Sequence, residues 1–283
     1  MKRLIGMRIR RAIGRGKDWF REAPVRDQAY LYPALASMYW QVVSDAVCAT
    51  RPQYAWGVVQ GVSLARALRM ERASVVEFGV AGGNGLVALE RVAERVEALT
   101  GVGVDVYGFD TGRGMPEPRD VRDCPNLWSA SYFSMDVEKL KQRLRRAKLL
   151  LGLVEETVSG LLQMDPAPVA FVSFDLDYYS STTAALKLLE APEGSLLPRV
   201  VCYFDDVMGF TYGEYNGERL AIAEFNRAHE TRKISPIFGL KYFVPSPFAD
   251  TMWVEQFWMA HLFDHSLYGH HDGLVRSSEM PLQ

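Results

Sequence analysis

Cysteine is scarce in this 283-residue chain: Cys48, Cys124 and Cys202 are its three thiols, and they stand far apart. No two have metal-ligand spacing and they form no disulfide framework, which fits a reducing compartment and predicts a cytoplasmic location. Excess charge of either sign is small as well. The formal net charge is −2, so bulk electrostatics argues against nucleic acid as a partner. No apolar run approaches the roughly 20 residues of a membrane span. No uninterrupted apolar core of a signal peptide is present, so export is not expected. What the chain does have is 48% hydrophobic and 23% charged residues, enough for a sizeable core in one large or two small domains.

The charge is unevenly placed. Basic residues crowd into positions 1–26, opposed there by Asp18 and Glu22, and the remainder is acidic on balance. Ile5, Ile9 and Ile13 fall four apart, as on one helix face. Such a segment reads as an N-terminal arm or a helix docked on the acidic body; peripheral contact with an anionic membrane is the other reading. Gly6, Gly14 and Gly16 weaken the helix. A second basic run, Lys139 to Lys148, scatters around its helix and reads as a solvated face.

Hydrophobic patterning predicts helix over residues 30–72 with a break near Arg51-Pro52. A β-rich run over 74–78 ends in Gly79-Val80-Ala81-Gly82-Gly83-Asn84-Gly85. A helix follows, with Leu89, Val92, Val96 and Leu99 on one face, and ends at Gly101. A strand over 104–109 is closed by Asp110. Residues 111–135 read as a long loop, 136–149 as a charged helix and 151–154 as a short strand. Further strands are expected over 169–174 and 200–204, helices over 182–190 and 217–230, and a late strand over 242–244. Strands alternating with helices predict an α/β fold with a mostly parallel sheet. Three regions result: 1–72 as an N-terminal helical arm or lid, 73–247 as a ligand-binding α/β domain, and 248–283 as an aromatic and His-rich extension.

Ligands of such sheets bind outside the carboxyl ends of the strands. Glycines or acids follow Phe78, Phe109, Phe174 and Phe204. After Phe174 come Asp175 and Asp177; after Phe204 come Asp205 and Asp206. Four carboxylates just past two buried strands repel one another and need a cation, a proton or a positive substrate group. Asp175 and Asp177 are two apart and so can share one side as the strand ends. A right-handed crossover sets the second pair beside the first. With no His or Cys among them, the set suits a hard cation, Mg²⁺. The glycine turn after Phe78 lacks the Gly-Lys-Ser/Thr of a P-loop and breaks the dinucleotide Gly-x-Gly-x-x-Gly register. Its acid, Glu77, two residues before Gly79, suits a cofactor bearing an ammonium group; a purely structural turn is the alternative. Asp110 can accept both hydroxyls of a ribose, or can be an ordinary Asp turn.

Glu77-x-Gly79-x-x-x-Gly83 resembles the first motif of class I S-adenosylmethionine-dependent methyltransferases, which have a Rossmann-like fold. Phe109-Asp110-Thr111-Gly112-Arg113-Gly114-Met115-Pro116, Phe174-Asp175-Leu176-Asp177-Tyr178-Tyr179-Ser180-Ser181-Thr182 and Phe204-Asp205-Asp206 resemble, in order, three segments of the macrocin-type (TylF-like) sugar O-methyltransferases. Arg113 stands where that family has an aromatic, Tyr178 where it has leucine, and Val154-Glu155-Glu156-Thr157 follows its adenine segment loosely. The resemblance implies O-methylation of a small molecule or glycan with S-adenosylmethionine and Mg²⁺. It implies that Glu77, Gly79, Gly83, Asn84 and Asp110 bind the cofactor, that Asp175, Asp205 and Asp206 ligate the metal, and that Asp177 is the general base. Asp177 as a cap of the following helix, with Ser180 or Ser181, is the alternative. A nicotinamide oxidoreductase and a non-catalytic methyltransferase-like scaffold compete with this reading.

The C-terminal stretch carries Trp253, Phe257, Trp258 and Phe263 with His261, His265, His270 and His271. His261 and His265 share a face if the stretch is helical. A zinc site would want a further ligand, so the stretch is read as packing, a substrate lid or a surface for homo-oligomer formation.

Overall fold

The computed structural model describes residues 32–245 and 247–270. The basic N-terminal segment 1–26 and His271 lie outside the described residues. Among the described residues two helices come first, α1 (Tyr32–Val43) and α2 (Pro52–Ala67), separated by a short 3₁₀ turn (Cys48–Thr50). Pro52 opens α2, where its missing N–H costs nothing. The break near Arg51 is thus where the sequence puts it. α2 is buried along most of its length, with Tyr54 set edge-on to Phe171 and Trp56 to Phe257.

The remaining elements alternate as expected of an α/β chain. β1 (Arg72–Phe78) leads into α3 (Asn84–Thr100), then β2 (Gly103–Asp110), α4 (Val137–Arg143), β3 (Lys148–Leu151), α5 (Val154–Gln163) and β4 (Val169–Phe174). After these come α6 (Tyr179–Leu186), β5 (Leu196–Phe204), α7 (Gly217–Ala228), β6 (Arg232–Pro236) and β7 (Phe257–Leu262). α3 stops where Gly101 adopts a left-handed conformation and its N–H caps Glu97 O.

The strands form one seven-stranded sheet in the order β3-β2-β1-β4-β5-β7-β6. β1 to β5 pair in parallel, and β7 runs antiparallel to both β5 and β6. The chain therefore winds outward one way from β1 to β3 and the other way from β4, a doubly wound, Rossmann-like arrangement. Its switch point is the crevice between the carboxyl ends of β1 and β4. Two cores cover the two faces. One is built from α1, α2 and α3 against residues such as Val75, Phe171 and Tyr203; the other has α5, α6 and α7 against Phe78, Phe109, Phe174 and Phe204.

Four local expectations need correction. The charged helix over 136–149 ends at Arg143, because the backbone N–H groups of Arg145, Arg146 and Ala147 turn to the buried carboxylate of Glu90. That frees residues 148–151 to be the edge strand placed at 151–154, and a helix, α5, follows instead. Residues 242–244 are not a strand; a short 3₁₀ turn (Leu240–Tyr242) lies there. The last strand is Phe257–Leu262, so His261 sits on a strand rather than one helix turn from His265. The two imidazoles have separate partners: His261 Nδ1 lies 2.8 Å from Tyr268 Oη, and His265 Nε2 lies 3.2 Å from Leu196 O. Among the described residues, no helix is long and apolar enough to cross a membrane.

Candidate active site at the sheet switch point

Phe78, Phe109, Phe174 and Phe204 are register partners across β1, β2, β4 and β5. Their rings stack side by side, with centroids 4.7 Å (Phe78–Phe109), 5.5 Å (Phe78–Phe174) and 4.4 Å (Phe174–Phe204) apart. The ladder continues one residue further: Gly79 N donates to Phe109 O, Asp175 N to Phe78 O and Asp205 N to Phe174 O. Because successive residues face opposite sides of a strand, residues 79, 110, 175 and 205 all turn away from the phenylalanine row at one level.

Gly79 is required here. It has a φ of +84°, and a Cβ on it would collide with Asp175 O. The close approach of β1 and β4 opens a cavity of about 320 Å³ above the strand ends. It is lined by Gly79 and Ala81 of the glycine turn, by Asp110, and by Asp175, Asp177, Asp205 and Asp206. The loop after β2 adds Met115, Pro116, Trp128 and Phe133, and the start of α5 adds Val154 and Glu155. One cavity thus joins the strand-end acids with the glycine turn.

The predicted cofactor residues divide into two layers. Asp110 lines the cavity, with Oδ2 accepting from Ala81 N (2.8 Å) and Oδ1 from Gly112 N (2.6 Å). Burial pushes its carboxyl above the usual range, against the pull of those N–H groups. Each of its oxygens keeps a lone pair for a further donor. Glu77, Gly83 and Asn84 stand behind the lining. Gly83 faces the Leu140 side chain, and Asn84 Oδ1 accepts from the Arg143 guanidinium at 3.1 Å. Glu77 is buried, and its pKa is pushed up to about 8 by that burial, with the Tyr54 hydrogen bond opposing.

The acids beyond β4 and β5 converge. Asp175, Asp177 and Asp206 each bring a carboxylate oxygen within 4.8 Å of the others. Asp205 lies beside them, but its Oδ1 is engaged by Tyr203 Oη (2.7 Å) and more weakly by Gln256 Nε2 (3.4 Å). Asp206 Oδ2 accepts the backbone N–H of Asp177 at 3.0 Å. Burial, then neighbouring negative charge, pushes Asp175 up, Asp177 up to about 8 and Asp206 up to about 6. A set of carboxylates this reluctant to ionise together, made of oxygen donors alone, fits a hard divalent cation.

Asp177 has a φ of +58°, a left-handed conformation that Asp, with its short polar side chain, adopts more readily than most non-glycine residues. The capping alternative is not what the geometry contains. The residue preceding α6 is Tyr178, with no side-chain cap. The open N–H of Ser180 is instead taken by Asp123 from the loop after β2 (2.8 Å).

Four residues of the site are not among the individual candidates read from the sequence: Tyr212, which lies in the aromatic-rich stretch 207–216 that the sequence offers as a pocket wall, Trp128, Glu218 and Asp123. Tyr212 Oη lies 3.1 Å from Asp206 Oδ1 and 3.3 Å from Asp177 Oδ1, and accepts from Trp128 Nε1 at 2.9 Å. Glu218, fully buried at the start of α7, accepts Asp206 N on Oε2 (3.0 Å), while its Oε1 has no partner among the described residues. Asp123, in the same loop after β2 as Trp128, is buried. Glu218 leaves a trace only as the acid of a helix first turn, which is a common feature without chemistry.

No protein-family model matches the chain, and no curated protein matches it. Solved structures similar to the chain include three methyltransferases. The calicheamicin methyltransferase CalS11 is 20% identical over 77% of this chain and 90% of its own, with a TM-score of 0.47. The O-methyltransferase NovP is 14% identical over 62% and 70%, with a TM-score of 0.48. The O-methyltransferase TomG from Streptomyces achromogenes is 15% identical over 82% and 89%, with a TM-score of 0.40. The fold is read from the sheet itself, and the case for an activity rests on the cavity and its side chains.

Proposed function

We propose that this chain is an S-adenosylmethionine-dependent O-methyltransferase, assisted by Mg²⁺, acting on a hydroxyl of a small molecule or glycan. The observation that carries the reading is one cavity at the switch point, holding Asp110 and the glycine turn at one side and the acid cluster at the other. The macrocin-type motifs point the same way.

In this reading Asp110 accepts the ribose hydroxyls, and Gly79 and Ala81 give the cofactor close access to the backbone. Glu77, held behind them with Oε2 unpartnered, receives the ammonium group. Gly83 and Asn84 shape the turn from behind. Bound S-adenosylmethionine supplies a sulfonium methyl already activated by its charge, and Mg²⁺ supplies positive charge beside the acceptor oxygen. Asp175, Asp205 and Asp206 are the candidate ligands. The convergence of Asp175, Asp177 and Asp206 favours the first and last of these, while Asp205, tied to Tyr203 and Gln256, is the weakest donor. Asp177 takes the acceptor proton at its carboxylate. Trp128, Phe133 and Met115 form an apolar wall against which the body of the acceptor can lie.

Titration calorimetry with S-adenosylhomocysteine and with NAD, each with and without Mg²⁺, tests the reading. Binding of S-adenosylhomocysteine but not NAD is the expected result. Binding of NAD alone would make the chain an oxidoreductase, and binding of neither would leave a non-catalytic scaffold.

A further inference from the structure

Glu77 is 2% exposed, yet among the described residues only one of its carboxylate oxygens has a partner. Oε1 accepts from Tyr54 Oη at 2.7 Å, and Oε2 is unsatisfied. A buried carboxylate oxygen without a donor costs free energy, so a fold that fixes one there points to a donor that arrives from outside. The fixing is thorough. Glu77 stands in a row with Gly108, Ser173 and Tyr203, its register neighbours across β2, β4 and β5. α2 delivers Tyr54 to that row. Its hydroxyl accepts from Ser173 Oγ at 3.2 Å, and its ring meets the Tyr203 ring edge-on at 6.2 Å. With Ser173 donating in, the single phenol proton is directed to Glu77. From the other side, a Cβ on Gly85 would collide with Glu77 Oε1, so only glycine leaves room for the carboxylate. Gly79, two residues on and facing the same way, lines the cavity.

Resting on the methyltransferase reading above, we propose that Tyr54 is a positioning residue for the amino-acid end of the cofactor: it pins Glu77 Oε1 and leaves Oε2 to accept the ammonium group. The phenol also stabilises the carboxylate form. Burial raises Glu77 and the Tyr54 hydrogen bond opposes it, the balance standing at about 8. Without that bond, more of the carboxyl would be neutral and a poor partner for an ammonium. Tyr54 belongs to the helical segment ahead of β1, so the cofactor site extends outside the strand-end motifs.

The test compares S-adenosylhomocysteine with its desamino analogue by calorimetry on the full chain. Wild type should prefer S-adenosylhomocysteine. Tyr54→Phe should bind it about tenfold more weakly while losing less than about twofold for the desamino analogue, the size expected of one hydrogen bond to a charged group. Ser173→Ala should give the same selective pattern at about threefold, and it answers the question if the Tyr54 variant does not fold. Equal losses for both ligands, or an unchanged preference, would overturn the proposal by reducing Tyr54 to a packing residue. If wild type binds neither ligand, the methyltransferase reading itself fails and takes this proposal with it.

Discussion

The hydroxyl of Tyr212 sits 3.1 Å from Asp206 Oδ1, and the same oxygen lies 3.3 Å from Asp177 Oδ1. One phenol proton is therefore available to two carboxylates that otherwise repel. Trp128 Nε1 fills the other side of the oxygen, which links the acid cluster to the apolar wall of the cavity. Tyr212→Phe keeps the ring and removes the shared donor. Turnover should fall about tenfold, the size of one charge-assisted hydrogen bond. Affinity for S-adenosylhomocysteine should stay within about twofold, because Tyr212 touches none of the proposed cofactor residues. Trp128→Phe should cost turnover less, since Tyr212 keeps its carboxylates. Equal losses of turnover and cofactor affinity in Tyr212→Phe would show that the loop, not the hydroxyl, matters.

The four acids should not respond equally to amide substitution. Asp206 has Oδ1 at Tyr212 and Oδ2 at the Asp177 N–H, and it converges with Asp175 and Asp177. Asp205 spends Oδ1 on Tyr203 and Gln256. Asp206→Asn should abolish divalent-metal dependence together with activity, whereas Asp205→Asn should weaken Mn²⁺ binding by about tenfold or less. Mn²⁺ titration followed by electron paramagnetic resonance measures both without turnover. If Asp205→Asn proves the more damaging, Asp205 must swing free of Tyr203 and Gln256 when a cation binds.

The cluster also makes a prediction about pH. Carboxylates in an unfolded chain titrate near about 4. In the fold, burial and neighbouring charge raise Asp177 to about 8 and Asp206 to about 6, with Asp175 raised too. Between those limits the folded state holds more protons than the unfolded one, so stability falls as pH rises through the window. Chelated protein should therefore melt at a higher temperature at pH 6 than at pH 8. Millimolar Mg²⁺ should raise the melting temperature clearly at pH 8 and little at pH 6, where protons already occupy the cluster. Differential scanning calorimetry at the two pH values decides it. A Mg²⁺ effect of equal size at both would place the cation elsewhere.

The parts of the site that lie on strand ends are legible in the sequence, because period-2 patterning and a following glycine or acid mark a strand end locally. Phe78-Gly79, Phe109-Asp110, Phe174-Asp175 and Phe204-Asp205 all fall at one level of the sheet. Residues brought in by other elements are not. Tyr54 reads as one more aromatic on a helix, and Tyr212 and Trp128 as loop aromatics; their roles depend on how α2 and two loops settle against the sheet. The direction of Asp205 depends on Gln256, fifty-one residues later. Residues 257–265 mislead because His261 and His265, four apart, suggest a helix face, while Phe257–Leu262 is aromatic and apolar and forms a paired strand that ends before His265.

Asp123 shows how a loop residue of unremarkable sequence context can hold the cavity wall. α6 begins without a side-chain cap of its own. Asp123 supplies one from a distance: Oδ1 accepts Ser180 N, and Oδ2 accepts Ser180 Oγ and Arg119 N, each at 2.8 Å. The residue is 0% exposed, so Asp123→Ala strands three buried or half-buried donors. The expected cost is about 3 kcal/mol, which for a chain of this size lowers the melting temperature by roughly 6–12 °C. The same substitution frees the segment carrying Trp128, so turnover should fall further than stability alone explains when assayed well below the melt. Asp120→Ala, three residues away, removes an exposed carboxylate that caps the Arg122 N–H and pairs with its guanidinium; it is the matched control and should shift the melt by about 2–4 °C, well short of Asp123→Ala. Equal melting temperatures for the two variants would mean that the loop is held by its backbone and apolar contacts, and that Asp123 is not the clasp.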